Sequence, residues 1–190
     1  MKTTAAVALV TMLITVASAA AQGAMQRQWE AAEKLKPARV SSVERIAPAT
    51  ERGTPFTVHG VIVDPAGKPA SGVEVLAYHT DIGGLYAAEG ATDPWRLKGW
   101  AVTDAQGRFE FRTIRPGPYP GNQLPAHVHL IMSTSCCGKQ IAEVMFDDDP
   151  IATKEVRARI KDVQWGAVTR RADGSQETSY TFRLKPRGDF

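Results

Sequence analysis

Two histidines stand one residue apart, His127 and His129, in the run Pro-Ala-His-Val-His. Alternate residues of a β-strand project to the same face, so both imidazoles can reach one metal ion if this segment is extended. Tyr119 precedes them in a proline-rich turn, Pro-Gly-Pro-Tyr-Pro, which restricts the backbone and can present the phenol at the end of the strand. A phenolate is a hard, strongly donating ligand, so imidazoles combined with phenolates favour ferric iron over zinc or copper(I).

A second phenol must come from the remaining tyrosines, because a histidine pair alone is more often an ordinary polar pair than a metal site. Tyr86 follows Gly83 and Gly84 in a flexible turn after a predicted strand. Tyr180 fits the core face of its strand, and Tyr78 lies on the opposite phase of the strand that precedes Tyr86. Tyr86 is therefore the better candidate for the second phenolate.

Short runs of alternating apolar and polar residues predict the strands that hold these side chains. One pair of runs flanks the turn Asp-Pro-Ala-Gly at 64–67 and another flanks Asp-Ala-Gln-Gly at 104–107, so each pair predicts a β-hairpin. Short strands separated by Gly and Pro predict an all-β fold, an antiparallel β-sandwich with a short N-terminal helical arm. The predicted strands cover residues 56–63, 73–79, 100–102, 108–112, 128–132, 141–146 and 180–184.

The arm is predicted as an amphipathic helix from Met25 to Leu35, in which Trp29 and Ala32 share one side and Pro37 ends the pattern. We expect it to be the only notable helix apart from the apolar N-terminal segment. The sequence leaves open whether it packs on its own domain or on a neighbouring subunit. The mixed polar and turn-forming residues 37–55 predict an irregular connection.

The first residues have the pattern of a secretory signal. Lys2 precedes an apolar stretch from Ala5 to Val16, and small residues follow at 17–21. The stretch is shorter than the roughly 20 apolar residues of a membrane span, so we expect an exported protein, periplasmic or secreted, with no membrane span in its mature form. The predicted divisions are a signal peptide at 1–21, a helical arm and connection at 22–53, and a sandwich domain at 54–190.

Charge and cysteine content restrict the remaining options. The 23 basic and 20 acidic side chains are interspersed and leave a net charge of +3, so no basic stripe for nucleic acid is present. Cys136 and Cys137 are adjacent, and sequence neighbours rarely reach ordinary disulfide geometry. Small apolar fillers are the favoured interpretation, while a vicinal disulfide or an intermolecular bridge stays open.

Several of these motifs together resemble the intradiol ring-cleavage dioxygenases, the family of the catechol and protocatechuate dioxygenases. The similarity spans roughly residues 54–150 and is most specific where Tyr-Pro is followed by Pro-Ala-His-Val-His. It implies that Tyr86, Tyr119, His127 and His129 bind Fe(III), with Tyr119 and His129 as axial ligands. The motifs that carry the resemblance are Gly60–Asp64, Gly83–Tyr86, Thr103–Asp104 with Gly107, Thr113–Pro120 and Pro125–His129.

The resemblance also implies an activity. A non-haem ferric enzyme would insert both atoms of O2 into a catechol-type aromatic diol and open the ring to a muconate-type diacid. The diol would displace Tyr119 from the metal. A small aromatic diol and O2 are thus the expected partners, while the substituents of the ring and the formation of a homo-oligomer stay open.

Two positions depart from the family pattern. The arginine that family members commonly carry three residues before the first ligand histidine is Leu124 here, so a cation that would face developing negative charge is missing. The pocket glutamine of the family aligns with Glu143. Together with Tyr119, these are the predicted catalytic positions. The cations that could replace the arginine are Arg96, Lys98 and Arg115.

Two other functions fit part of the pattern. The strand and turn signals also look like carboxypeptidase-regulatory or transthyretin-like modules, which are non-catalytic binding units. Such modules have no reason to keep Tyr119 with the two histidines, so the ligand set discriminates between the readings. The third hypothesis is a ferric site with an altered activity. It is raised because Leu124 stands where the family has an arginine.

Overall fold

The computed structural model describes residues 23–121, 124–161 and 163–187, so the predicted signal peptide lies outside the described residues. The described chain is built mainly of strands in two five-stranded sheets, which confirms the predicted all-β sandwich. The strands are β1 Val43–Arg45, β2 Pro55–Val63, β3 Glu74–His79, β4 Leu97–Val102, β5 Arg108–Ile114, β6 His127–Thr134, β7 Gly138–Phe146, β8 Gln164–Gly166, β9 Val168–Arg170 and β10 Gln176–Arg183.

Both sheets are mixed rather than purely antiparallel. The first has the order β1-β5-β2-β10-β9 and the second the order β4-β3-β6-β7-β8. Five of the eight strand pairings in the described residues are antiparallel, but β1–β5, β2–β10 and β7–β8 are parallel. The members of each parallel pair are far apart in sequence, so no tight turn forces them to run in opposite directions.

The two predicted hairpins are wrong. β2 and β5 lie in the first sheet, whereas β3 and β4 lie in the second, so the chain crosses between the sheets after each turn. The turns themselves form: Gly67 donates to the Asp64 carbonyl and Gly107 to the Asp104 carbonyl, both at 2.9 Å. After the 64–67 turn, only the isolated bridge between Val63 and Pro69 continues the pairing. The strands on either side of each turn still share one hydrophobic core. They pack face to face across it, one in each sheet, instead of pairing edge to edge in the same sheet.

A true hairpin joins β6 to β7, and its turn contains the two cysteines. A disulfide links Cys136 to Cys137, so the structure shows the vicinal bridge rather than the favoured pair of thiol fillers. Along β6, Val128 and Leu130 enter the core between the sheets, whereas Ile131 belongs to a second cluster on the outer face of the sheet. His127 and His129 have the same phase as Ile131 and therefore lie on that outer face.

The predicted helical arm is present as helix α1, residues 23–33. It packs on its own domain: Ala32 is fully buried with Leu76, Trp100 and Ile131 on the outer face of the second sheet. A second helix, α2 Lys154–Arg159, and strand β1 within the supposed irregular connection were not predicted. Both are too short for a periodic pattern to be read. Neither helix in the described chain has the length and apolar character needed to cross a membrane.

His79 joins the two sheets beside the loop that follows β3. Its Nε2 lies 2.6 Å from Thr113 Oγ1 on β5, and its Nδ1 lies 2.7 Å from the Thr80 carbonyl oxygen. A carbonyl only accepts, so Nδ1 carries the hydrogen and the threonine hydroxyl donates to Nε2. The neutral imidazole thus uses both nitrogens, and complete burial lowers the pKa of His79 from 6.5 to about 4.

We expect His79 to make folding pH-dependent. The unfolded state binds its proton at about pH 6.5 and the folded state only near pH 4, so stability is fully present above 6.5 and falls as the pH drops towards 4. This one group should account for a loss of roughly 2–3 kcal/mol. Urea unfolding of His79→Gln at pH 7 and pH 4 should show a smaller loss than the wild type. Equal losses in the two proteins would contradict the assignment.

Candidate metal centre

The candidate centre lies on the outer face of the second sheet, where β6 begins. Period-two alternation along β6 brings His127 and His129 to this face. The start of the strand is held by a buried carboxylate, because Asp149 accepts hydrogen bonds from the backbone N–H groups of Ala126, at 2.9 Å, and Ile151, at 2.8 Å. Both histidines are largely buried and lie on a strand that is paired on both sides, with β3 and with β7.

The two tyrosines come from loops that are bonded to each other. Tyr86 lies in the loop between β3 and β4, and Tyr119 lies in the loop after β5. Gly117 donates to the Asp81 carbonyl at 2.9 Å, and the Thr80 hydroxyl donates to the Gly117 carbonyl at 2.7 Å. The Asp81 carboxylate also accepts from two backbone N–H groups of its own loop. The phenols therefore approach the histidines on fixed backbone rather than on free loops.

The structure brings all four predicted side chains together. Tyr86 Oη contacts Tyr119 Oη and lies 2.8 Å from His129 Nε2. Tyr119 Oη lies 3.1 Å from His127 Nε2 and 3.4 Å from His129 Nε2, and the two Nε2 atoms are 3.1 Å apart. Atoms that bind one metal ion at about 2.1 Å are separated from each other by about 3 Å, so these spacings fit a shared centre.

The hydrogen-bond partners on the far side of each ring determine what the Nε2 atoms offer. His127 Nδ1 lies 2.8 Å from the Pro125 carbonyl oxygen, and His129 Nδ1 lies 3.3 Å from Glu143 Oε1. A carbonyl oxygen only accepts, so His127 Nδ1 carries the hydrogen and His127 Nε2 presents a lone pair, and the carboxylate beside His129 Nδ1 favours the same tautomer for that ring. Two lone pairs 3.1 Å apart cannot bond to each other and need a donor or a cation between them.

Burial disfavours the charged forms of Tyr86, Tyr119 and His129 in this centre. It raises the pKa of Tyr86, with the hydrogen bond to Tyr119 as the next cause, and it raises the pKa of Tyr119. Burial also lowers the pKa of His129 to about 3, helped by the nearby His127. The His129 imidazole is thus neutral at ordinary pH, while the phenols need a strongly charged metal ion to lose their protons.

An aromatic stack that the sequence did not indicate supports His129. The Tyr78 ring stacks on the His129 ring with centroids 4.6 Å apart, and Trp95 stacks on the other face of Tyr78 at 3.8 Å. Tyr78 was predicted on the phase opposite to the core, which is correct, and the site lies on that same phase. The neighbouring position of Tyr78 and His129 follows from strand register, which the sequence alone does not reveal. Tyr180, as predicted, is a core residue.

The other predicted positions differ in how they are placed. Glu143 lies opposite His129 in the β6–β7 register, and Leu124 is half-buried in the loop just before β6. The three candidate replacement cations are each held by carboxylates. Arg96 pairs with Glu51 and Asp81, Lys98 with Asp93, and Arg115 with Asp148.

The chain is similar to known dioxygenases in sequence. A family model described as "Dioxygenase" matches residues 33–186. Catechol 1,2-dioxygenase 1 of Acinetobacter lwoffii is 31% identical over 132 residues, which cover 59% of this chain and 42% of the relative. The protocatechuate 3,4-dioxygenase beta chain of Burkholderia cepacia is 32% identical over 111 residues, which cover 52% of this chain and 47% of the relative. The chain thus spans less than half the length of these two relatives.

A solved structure shares the fold over most of the chain. The dioxygenase domain of a dioxygenase carbohydrate-binding protein fusion from Streptomyces sp. SirexAA-E is 25% identical, with a TM-score of 0.59, and the match covers 78% of this chain and 92% of that one. Among the families raised by the sequence, these matches favour the dioxygenase family over the transthyretin-like modules.

Gly84 offers a test of how the two tyrosine loops meet. Its φ is +80°, and a Cβ there would meet the Pro118 carbonyl beside Tyr119 and lie 3.1 Å from Pro120 Cδ. We expect Gly84→Ala to push the loops apart, weakening metal uptake and lowering the free energy of unfolding. Gly72 is a matched control, because its φ is +74° but a Cβ would meet nothing within 4 Å.

Gly72→Ala should therefore cost only backbone strain, about 1–2 kcal/mol, and leave metal uptake intact. The measurements are urea unfolding and the ferric iron bound per chain. Similar metal uptake by the two alanine variants would show that contact between the loops does not position the phenols.

Proposed function

Because the chain belongs to the intradiol ring-cleavage dioxygenase family, we propose that it is a non-haem ferric enzyme that inserts both atoms of O2 into a catechol-type aromatic diol and opens the ring to a muconate-type diacid. The observation that carries the proposal is the convergence of two phenol oxygens and two imidazole nitrogens on one point. Tyr86, Tyr119, His127 and His129 would hold the Fe(III).

The donor set fits ferric iron better than a divalent ion. Two buried phenols with raised pKa values lose their protons only to a hard, highly charged cation. The neutral imidazoles complete a set that has two negative charges, which partly balance a trivalent ion. When bound, Fe(III) would draw electron density from a chelated diol and so open its ring to direct attack by dioxygen.

Tyr119 is the ligand best placed to give way to substrate. Its hydroxyl touches both imidazoles, but its backbone lies in a loop between Pro118 and Pro120 rather than on a strand. Tyr86 also lies in a loop, but its ring packs against the buried cluster on the outer face, with 5.8 Å between its ring centroid and that of Tyr78. The Tyr119 oxygen would accept a proton from a diol hydroxyl as the diol takes its place, so it serves as both exchangeable ligand and base.

The rest of the chain would orient the diol and keep water away. Tyr78 and buried Trp95 form an apolar support under His129, while Leu124 occupies the position of the family arginine. The cations Arg96, Lys98 and Arg115 are each paired with a carboxylate, which offsets the charge that could replace the arginine. A ferric site with slow or altered ring cleavage is therefore the second candidate function.

We also propose that the protein is exported to the periplasm or beyond the cell. The support is the signal-like pattern of residues 1–21 together with the disulfide between Cys136 and Cys137, since disulfides persist mainly in oxidising compartments.

Removing either histidine should release the metal. The purified wild type should bind one iron atom per chain and show visible phenolate-to-iron charge-transfer absorption. His127→Ala and His129→Ala should each weaken iron binding more than about 100-fold, because a ligand is lost rather than a supporting group. His59→Ala, on the first sheet, should keep both iron and colour. A colourless, iron-free wild type would argue for a binding module, and unchanged iron in either site variant would refute the ligand set.

Restoring the arginine should speed ring cleavage. Leu124→Arg returns a cation to the position that faces developing negative charge, so oxygen uptake and diacid formation should rise by about tenfold or more. Both proteins should chelate a catechol without oxygen, which is seen as a shift of the visible band. The control is Ile141→Arg, which adds the same charge at a residue 67% exposed on the outer face of the same sheet.

Rapid cleavage by the wild type would show that another group replaces the arginine. If Leu124→Arg only lowered thermal stability, the leucine would instead be a packed wall residue, because a charge buried without a partner destabilises the fold.

A further inference from the structure

The outer face of the second sheet carries a carboxylate on the side of His129 that turns away from the metal position. We propose that Glu143 is a positioning residue that accepts a hydrogen bond from His129 Nδ1 and so fixes the orientation and increases the donor strength of this ligand. The inference rests on the proposed iron site. Glu143 then acts through His129, in addition to any contact with the diol.

The strand register places the two side chains. His129 on β6 and Glu143 on β7 are direct cross-strand partners, and both project from the outer face. Glu143 Oε1 lies 3.3 Å from His129 Nδ1, while Nε2 on the other side of the ring contacts Tyr86, Tyr119 and His127. The carboxylate is thus beside the nitrogen that does not point at the metal position.

The ring of His129 is constrained in two independent ways. Tyr78 covers one face of the imidazole, with only 10° between the ring planes, and Trp95 backs Tyr78. Glu143 lies at the edge of the ring, at Nδ1. Stacking alone would allow the ring to turn in its own plane or flip, so the carboxylate supplies the constraint that stacking lacks.

The two histidines are therefore not equivalent ligands. His127 Nδ1 donates to the neutral Pro125 carbonyl, whereas His129 Nδ1 faces a carboxylate. A negatively charged acceptor draws the Nδ1 proton more strongly and makes Nε2 more basic. The glutamine that the family resemblance implies at this position could accept the same hydrogen bond, but without the charge.

A direct ligand role for Glu143 is the competing arrangement. His127, His129 and Glu143 have donor atoms that all lie within 4.8 Å of one another, as in a two-histidine, one-carboxylate site. The position of the carboxylate at Nδ1 rather than among the Nε2 atoms and phenols favours the positioning role. The two roles predict different losses of iron.

The test uses the full chain loaded with ferric iron and the variants Glu143→Gln and Glu143→Ala. Iron affinity, measured by competition with a chelator, should fall about 10–100-fold in Glu143→Ala and less in Glu143→Gln, which keeps an acceptor. In both variants the charge-transfer band should move to longer wavelength, because a weaker His129 donor leaves the iron more electron-poor. Circular dichroism checks that the partly exposed site tolerates each change.

The chain contains a matched control. Glu110 lies opposite His59 in the β2–β5 register, with 3.4 Å between its Oε2 and His59 Nδ1, so it repeats the same pair on the other sheet. Glu110→Gln should leave iron affinity and the visible band unchanged.

Several outcomes would overturn the inference while leaving the proposed function intact. Wild-type affinity and spectrum in both Glu143 variants would show that the carboxylate does nothing for His129. Loss of iron from Glu143→Ala as complete as from His127→Ala would make Glu143 a direct ligand. If the wild type itself binds no iron, the proposed function fails first, and this inference fails with it.

Discussion

The candidate centre depends on how the alternating residues of β6 are divided between the two faces of the second sheet. β6 must bury Val128 and Leu130 between the sheets, and this obligation forces His127 and His129 onto the outer face. Their Nδ1 atoms each meet an acceptor, so the Nε2 lone pairs are left 3.1 Å apart. Such a pair is unfavourable without a donor or cation, and the phenols of Tyr86 and Tyr119 supply that need in the metal-free protein.

The loops that carry the phenols are held by contacts between the sheets. His79 ends β3 and is bonded to Thr113 on β5, directly before the loop that leads to Tyr119. Thr80, the next residue, donates to Gly117 in that loop. One buried polar cluster therefore holds the ends of the two strands and the beginnings of both tyrosine loops, so a loss of sheet packing there would also separate the phenols.

Local patterns in the sequence were enough to predict features of a single strand or turn, such as the face on which a side chain lies. They failed to predict how two strands pair or contact each other. Period two correctly placed His127 and His129 on one face, and it placed Tyr180 in the core. The turns at 64–67 and 104–107 were also found, yet a turn does not reveal whether the next strand pairs or crosses to the other sheet. The stack of Trp95 on Tyr78 and the approach of Glu143 to His129 both arise from register between strands that are distant in sequence.

The two departures from the family pattern act in one direction. Leucine at 124 removes a positive charge that the resemblance would place near the substrate, and glutamate at 143 adds a negative charge beside a metal ligand. Both would make the surroundings of the proposed iron site more negative, and a stronger His129 donor would also make a bound metal more electron-rich. Tight binding of Fe(III) would gain from this change, whereas withdrawal of electrons from a chelated diol would become weaker. The same residues that would increase the affinity for the ferric ion would thus weaken its activation of the aromatic ring. Iron affinity and the rate of ring cleavage would therefore change in opposite directions for one electrostatic reason.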